Sequence, residues 1–462
     1  MKHESRAAIF WSIANAIGTR GSSFIFFLAL GRMLGPAIFG VVATAASIIL
    51  FLDALVEFKL SVFVITSDTI DDNLISSIFW LQAIAGIVLF SLLVISSDFL
   101  GNGYGDPRLA HVLSWIALCV FINSLGNIQD ALLRRSLSFR IITIRNMLAN
   151  ICGGLSGIIS AYLGLGIDSM IVMILVNSTV ATLSLWFASK WRPRLRLLHE
   201  NLWSILVDSS YLAASAIGST LILQLNLFLI GMFFGSSGSG LYAFSLRIYD
   251  VVMRLTTFSV SEAAFPILAN LTTDKVEYKR NYLELLQAGS APAVAILVLG
   301  ASTSQYFVPL IFTSAWQGAV PLLELLLITG AVITFGALND VTIIAFRKNK
   351  AIALTQLYGL FLFLCQLLVM QRFGVLFVVF VWAFKEISVY PWKAIIAMRL
   401  MNLDFRDYLF ATTPTLGAGF IALLIAGLVS KHLFGDPFMS LLFALTAGIL
   451  TYVITYVFLR RL

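Results

Sequence analysis

Charge is what this sequence has least of. Asp, Glu, Lys and Arg make up 11% of its 462 residues, against about 25% in soluble proteins. A chain of this size with so little polar surface does not stay dispersed in water. Cysteine is scarce too: Cys119, Cys152 and Cys365 all lie inside apolar runs, with no CxxC spacing. An odd count without that spacing argues against disulfides and thiolate metal sites, and for small apolar packers. No Walker pattern, metal-ligand cluster or nucleophile motif occurs, so neither enzymatic chemistry nor a metal or cofactor is assigned. No stretch is long and polar enough to fold as a soluble domain.

What is present is apolar. Hydrophobic residues make up 60% of the chain and phenylalanine alone occurs 37 times. The apolar runs are continuous and helix-length, unlike the alternating strands of a membrane barrel. The reading is an all-α, polytopic membrane protein. A span needs about 20 residues. Hydropathy and turn signals place fourteen, near 7–30, 40–58, 73–95, 109–132, 142–163, 168–188, 208–233, 241–267, 284–311, 319–345, 351–370, 376–398, 408–429 and 438–459. Ala14-Asn15-Ala16 resembles a processing site, but the hydrophobic run continues past it, so the first helix is expected to stay attached.

Lysine and arginine set the orientation. Lys2, Arg6, Lys59, Arg134, Arg135, Arg140 and the cluster from Lys190 to Arg196 fall on one side of this arrangement. The basic residues of 275–280, 347–350, 399–406 and 460–461 fall on the same side. Twenty basic residues lie there and only four, Arg32, Arg108, Arg372 and Lys431, on the other. Both termini are therefore expected in the cytoplasm. Net charge of +7 reads as a topology signal with secondary contact to anionic lipid. Dispersal of the basic residues over short segments speaks against nucleic-acid binding.

The chain also repeats itself at an offset of two hundred. Ala14, Ala16, Ile17 and Gly18 match Ala214, Ala216, Ile217 and Gly218, and without a gap Gly31, Gly35, Gly40 and Ala43 match Gly231, Gly235, Gly240 and Ala243. Gln129-Asp130 before a basic loop is echoed by Asn339-Asp340 before Arg347-Lys348. Six helices per unit is an even number, so the repeat is parallel. The expected architecture is two six-helix lobes, 1–200 and 201–402, around a central cavity, with two further helices in 403–462. The glycines bracket tight turns, and Gly31-xxx-Gly35 suits close helix packing.

The first of these turns carries a resemblance. Leu30-Gly31-Arg32-Met33-Leu34-Gly35-Pro36-Ala37-Ile38-Phe39-Gly40 resembles the first-hairpin signature of the bacterial polysaccharide biosynthesis/export family, within the multidrug/oligosaccharidyl-lipid/polysaccharide exporter superfamily. Arg135-Ser136-Leu137-Ser138-Phe139-Arg140, the segment from Gly240 to Arg247 and Phe265-Pro266 are similar to later family motifs, with Ser245 where the family usually has alanine. The resemblance covers roughly residues 5 to 410. It implies a lipid-linked oligosaccharide flippase of the inner membrane, working by alternating access in exopolysaccharide, capsule or O-antigen (lipopolysaccharide) synthesis. The implied partners are an undecaprenyl-pyrophosphate-linked oligosaccharide and a polysaccharide polymerase.

An ionised side chain at mid-bilayer costs at least about 2.5–3.5 kcal/mol, so embedded charges are candidates for a site. Arg20 lies near the middle of the first span. Arg247, Asp250 and Arg254 are spaced to share one face of the eighth, with Arg254 roughly 20 Å from the outer end. Lys385 is central in the twelfth span, beside Glu386; Arg145 and Lys393 lie near span ends and are expected to snorkel. Beside the implied substrate, Arg20, Arg247, Arg254 and Lys385 read as a cavity lining for pyrophosphate, which guanidinium binds bidentately. The competing readings are a structural salt bridge at Arg20 and an internal ion-pair ladder on the eighth span. Asp53 and Glu262 are nominated for proton or sodium coupling. The tryptophans fall mostly near span ends as interface anchors.

Two other functions stay open. A multidrug or organic-cation antiporter of the same superfamily would favour an acidic cavity, whereas the central charges here are mostly basic. A membrane glycan polymerase or glycosyltransferase would need a sizeable outer loop. The largest expected here, Ser96 to Arg108, is about a dozen residues and holds no histidine.

Overall fold

The structure is a computed structural model that describes residues 18, 21–67, 71–194, 202–432 and 437–461. Among the described residues there are helices and no strand. The chain is an integral, multi-pass membrane protein, and twelve of these helices are long and apolar enough to span. Its spans are α1 (Gly21–Met33), α2 (Pro36–Glu57), α3 (Asp72–Tyr104), α4 (Arg108–Arg135), α5 (Phe139–Tyr162) and α6 (Asp168–Ala188). Next, a continuous helix over Leu202–Met253 is broken only at Gly235, separating α7 (202–234) from α8 (236–269). Then come α9 (Lys275–Ile311), α10 (Ser314–Ala345), α11 (Asn349–Phe373), α12 (Val375–Met401), α13 (Phe405–His432) and α14 (Pro437–Arg461). The described part of α1 is short, and the twelve count α7 and α8 as one stretch. With α1 added and the break at Gly235 allowed, the described residues hold fourteen segments. Ala14 to Ile17 and Arg20 lie outside the described residues.

Some boundaries move. Helix α3 runs to Tyr104, so the outer connection expected from Ser96 to Arg108 shrinks to residues 105–107. Gly101 makes this possible, because a Cβ there would press on Ala110 at the start of α4. The uncertain join after α2 is a separate short helix, Leu60–Thr66, entered through Phe58 and Lys59 in the left-handed region. Arg135 closes its C-terminal end by donating to the carbonyls of Val64 and Ser67. Arg192 does the same for α6, donating to the carbonyls of Trp186 and Ser189. Cations at helix C-termini satisfy orphan carbonyls and favour the dipole. The basic loops thus close helices as well as marking one side.

Contacts divide the chain into two compact units, 1–243 and 244–462. In the first, the short helix 60–66, α3, α4 and the start of α7 bury Val64, Ile78, Phe79, Ile128 and Ile205 together. Phe79 meets the rings of Trp80, Trp186 and Trp191 edge-on. In the second, Phe244 stacks on Trp316 at 4.3 Å between ring centres and meets Phe312 at 4.6 Å. Trp316 is fully buried, so this tryptophan is core rather than an interface anchor. Trp115 and Trp203 remain exposed as anchors would. The last two spans pack on each other and on α9, where the Tyr452 hydroxyl donates to the Ala291 carbonyl at 2.7 Å. Cys119 is buried, Cys365 exposed, and all three cysteines are free.

The repeated glycines do different work. Inside the first unit, the opening turns of α2 and α8 cross backbone to backbone. A Cβ on Gly40 would collide with the Ser236 carbonyl, and one on Gly240 with the Pro36 carbonyl. Those four positions are related in pairs by the offset of two hundred, so the crossing is reciprocal. Beneath it the Tyr104 hydroxyl bonds Ser239 at 2.9 Å and Thr44 at 3.2 Å, and Gly231 gives the tyrosine ring room. Beside it Arg108 grips Asp106 at 2.7 Å, which holds that carboxyl below its ordinary range. Gly235 sits at φ 73°, ψ 175°, a conformation open in practice only to glycine. Gly35, its repeat partner, has φ −75°, and a Cβ there would meet no neighbouring atom within 4 Å. Close packing at Gly31-xxx-Gly35 therefore does not extend to Gly35.

Gly40→Ala and Gly240→Ala should each cost about 1–3 kcal/mol or more by overpacking, whereas Gly35→Ala should be nearly neutral. Thermal unfolding of the three variants in detergent checks this. Equal midpoints would contradict the crossing.

Candidate functional site

Helix α8 carries the charged face anticipated for it. Arg254 Nε donates to both carboxylate oxygens of Asp250, each at 2.8 Å. One turn earlier, Arg247 is exposed and feels the field of the same aspartate. Asp250 thus pairs with Arg254, with Arg247 on the same helix one turn earlier. Immediately after this face the helix changes winding, and Arg254–Phe258 is a π-turn. A π-turn widens the helix and leaves a carbonyl without its usual i+4 partner, an arrangement frequent at functional sites. Ser259 supplies the replacement, its hydroxyl donating to the Arg254 carbonyl at 2.6 Å. Thr257, within the turn, bonds Thr334 of α10 at 2.8 Å and ties the widened segment down. Arg254 commits only Nε, leaving both terminal nitrogens without a hydrogen bond to the described residues.

Lys385 does not stand alone. Its ammonium lies 2.7 Å from Glu386, and each side chain is about one-fifth exposed. A neighbouring charge in sequence therefore satisfies it, and Glu386 belongs to that pair. Tyr249 of α8 packs edge-on against Trp382 of α12 at 5.5 Å between ring centres. This brings the two charged segments of the second unit side by side. Lys393, expected to snorkel, turns inward to Asp340 at 2.8 Å and is 14% exposed. Next to it runs a buried relay: Tyr282 donates to Asn339 at 2.7 Å, Asn339 to Tyr408 at 3.1 Å, and Tyr408 bonds Tyr390 at 3.0 Å.

The first unit holds a polar cavity of about 590 Å³ between α2, the short helix 60–66, α4, α5 and α6. Asp53 lies in its wall and accepts from Asn123 at 3.0 Å. Across from it Asp130 takes Arg134 at 2.6 Å and Arg145 at 2.5 Å. Arg145 therefore points into the protein, at 20% exposure, instead of snorkelling. Glu57 completes the acidic wall and pairs with Lys59 at 3.3 Å. Glu262, the other carboxylate nominated for coupling, is exposed on the helix beyond the π-turn. Arg20 lies outside the described residues. The structure thus brings Arg247 and Arg254 together around Asp250, and places Asp53 in a separate cavity.

Sequence reasoning finds the carboxylates that organise these clusters as acidic membrane positions but does not assign their partners. Asp130 and Asp340 pair with cations 15 and 53 residues away, respectively. One signal was available: Gln129-Asp130 and Asn339-Asp340 echo each other in the repeat, and Gln129 and Asn339 are both fully buried. In each unit the carboxylate beside the buried amide anchors an inward-turned cation.

A family model described as polysaccharide biosynthesis protein matches residues 29–321. The chain belongs to that family. It is 23% identical over 325 residues to the succinoglycan biosynthesis transport protein ExoT of Rhizobium meliloti (strain 1021), covering 70% of this chain and 66% of the relative. It is 25% identical over 331 residues to the lipopolysaccharide biosynthesis protein WzxC of Escherichia coli (strain K12), covering 71% and 67%. Similarity to the teichuronic acid biosynthesis protein TuaB of Bacillus subtilis (strain 168) is 23% over 402 residues, 84% of this chain and 82% of that one. The chain thus spans about two thirds of the first two relatives' own length. Its fold is shared with lipid II flippase MurJ in an inward closed conformation, at TM-score 0.73, 14% identity and coverage of 97% and 98%.

Removing the shared carboxylate strands a cation in the cavity of the first unit. Asp130→Ala should destabilise by about 3 kcal/mol, and combining it with Arg145→Met should recover much of that loss. A double-mutant cycle on thermal stability in detergent checks the coupling. Additive effects would contradict it.

Proposed function

We propose that this chain moves lipid-linked oligosaccharide precursors across the bacterial inner membrane by alternating access of its two helical lobes. Family membership and the transport role in the name of the ExoT relative support the activity. The MurJ-like fold supports the architecture on which such movement depends. The proposed lobes are 1–200 and 201–402, with 403–462 as an addition, a central cavity between them and both termini in the cytoplasm. The preponderance of basic residues in loops of one side supports that orientation. A polysaccharide polymerase is the expected downstream partner.

The carrying observation is Arg254. Asp250 holds its Nε, which fixes the plane of the guanidinium and leaves two parallel N–H donors for one phosphate of an undecaprenyl-pyrophosphate head group. Arg247 on the same face adds charge for the second phosphate, and Arg20 would add more from the first span. Lys385, already paired, contributes field rather than a free donor. Asp53 is the stronger candidate for proton or sodium coupling, because it is enclosed while Glu262 is exposed.

Export of surface polysaccharide in cells carrying Arg254→Ala or Arg20→Ala should fall roughly tenfold or more at unchanged membrane abundance. Collapsing both the proton and the sodium gradient should stop export in the native strain. Full export by both variants would contradict the head-group site, and gradient-independent export would contradict coupling.

A further inference from the structure

The cavity of the first unit has a composition that ion coupling at Asp53 does not exhaust and that pyrophosphate binding does not explain. Its wall carries Asp53, Glu57 and Asp130 together with Arg134 and Arg145. Within the wall and its surroundings these charges already meet partners. Asp130 is shared by the two arginines, Glu57 faces Lys59, and one oxygen of Asp53 accepts from Asn123. A phosphate would face three carboxylates here, and an ion held at Asp53 would leave the amides and guanidinium groups of the wall unused.

Hydrogen-bonding capacity, by contrast, is left over. Arg145 Nε is buried without a partner. Asn127 lies in the wall, half-buried, with no side-chain hydrogen bond to the described residues. Asn177 spends one N–H on Asn150 at 3.1 Å and keeps further capacity. Carboxylate, carboxamide and guanidinium groups side by side offer acceptors and donors in alternation. A volume near 590 Å³ lies within the usual range for small-molecule pockets. Two further cavities among the described residues are lined mainly by apolar side chains, such as Leu409, Phe410 and Pro414 in one and Leu354, Trp392 and Ile396 in the other.

We propose that this cavity is a sugar site that takes a neutral, hydroxyl-rich ring. Each sugar hydroxyl both donates and accepts, so it can bridge a carboxylate of Asp53 or Asp130 to an amide of Asn127 or Asn177 without disturbing the charge balance of the wall. Resting on the reading of the chain as a glycolipid translocator, the ring would be part of the glycan, held by a unit distinct from the one that carries Arg254.

The test uses the purified full chain in detergent, with methyl glucoside and methyl galactoside as probes and saturation-transfer NMR as the readout. At least one hexoside should bind saturably to the native chain. Asn127→Leu, which removes an amide without a described protein partner, should weaken it about fivefold or more, and Asn177→Leu should act in the same direction. Arg254→Ala should leave hexoside binding unchanged. No saturable hexoside signal, a signal indifferent to both asparagine variants, or displacement by inorganic pyrophosphate would overturn the proposal. Saturable, Asn127-dependent binding in a chain whose Arg254→Ala variant exports normally would keep this site and remove the pyrophosphate reading.

Discussion

An ionised group in hydrocarbon must reach water or meet its opposite, because its desolvation costs several kcal/mol. Four membrane-embedded cations among the described residues follow that constraint within their own units. Arg145 meets Asp130, Arg254 meets Asp250, Lys385 meets Glu386, and Lys393 meets Asp340. Arg145–Asp130 and Lys393–Asp340 each join two helices and Arg254–Asp250 locks one helix face, so these pairs fix geometry as well as cancelling charge. The difference that matters is in what remains. Lys385 is largely enclosed with its partner, whereas Arg254 is paired through Nε alone and keeps its terminal donors. A residue can therefore be satisfied well enough to fold and still be available to a ligand.

Small residues supply the second constraint. Helix association in a bilayer has no hydrophobic drive, so it relies on packing and hydrogen bonds. The crossing of α2 with the start of α8 meets that need at Gly40 and Gly240, with the Tyr104 hydroxyl bonded to Thr44 and Ser239 beneath it. The same repeat places Gly35 and Gly235 at equivalent positions, yet only Gly235 adopts a backbone reserved for glycine. The repeat puts the same residue at both positions, and the two environments use it differently.

The solvent, the helical class, the span positions and the shared α8 face were legible in the sequence, because hydropathy and helical spacing are local properties. Partner choice was not. Arg145 and Lys393 looked like snorkelling residues near span ends, since sequence cannot show that Asp130 and Asp340 approach them from other helices. The π-turn at Arg254–Phe258 was also hidden: it is set by Thr257 reaching Thr334 on α10 and by Ser259 reaching back to a carbonyl. The polar cavity needed five helical segments to come together, which no local pattern in the sequence shows. Trp316 followed composition statistics toward the interface but packs with Phe244 and Phe312 in the core.

The proposed division of labour is a guanidinium face on α8 for phosphate and a balanced polar cavity in the other unit for hydroxyls. The most direct measurement reconstitutes the purified chain in proteoliposomes with a fluorescent undecaprenyl-linked oligosaccharide and follows its appearance in the opposite leaflet. The account predicts that the native chain moves the pyrophosphate-linked lipid and that Arg254→Ala moves it roughly tenfold more slowly or worse. Equal rates for the native and Arg254→Ala chains would contradict it.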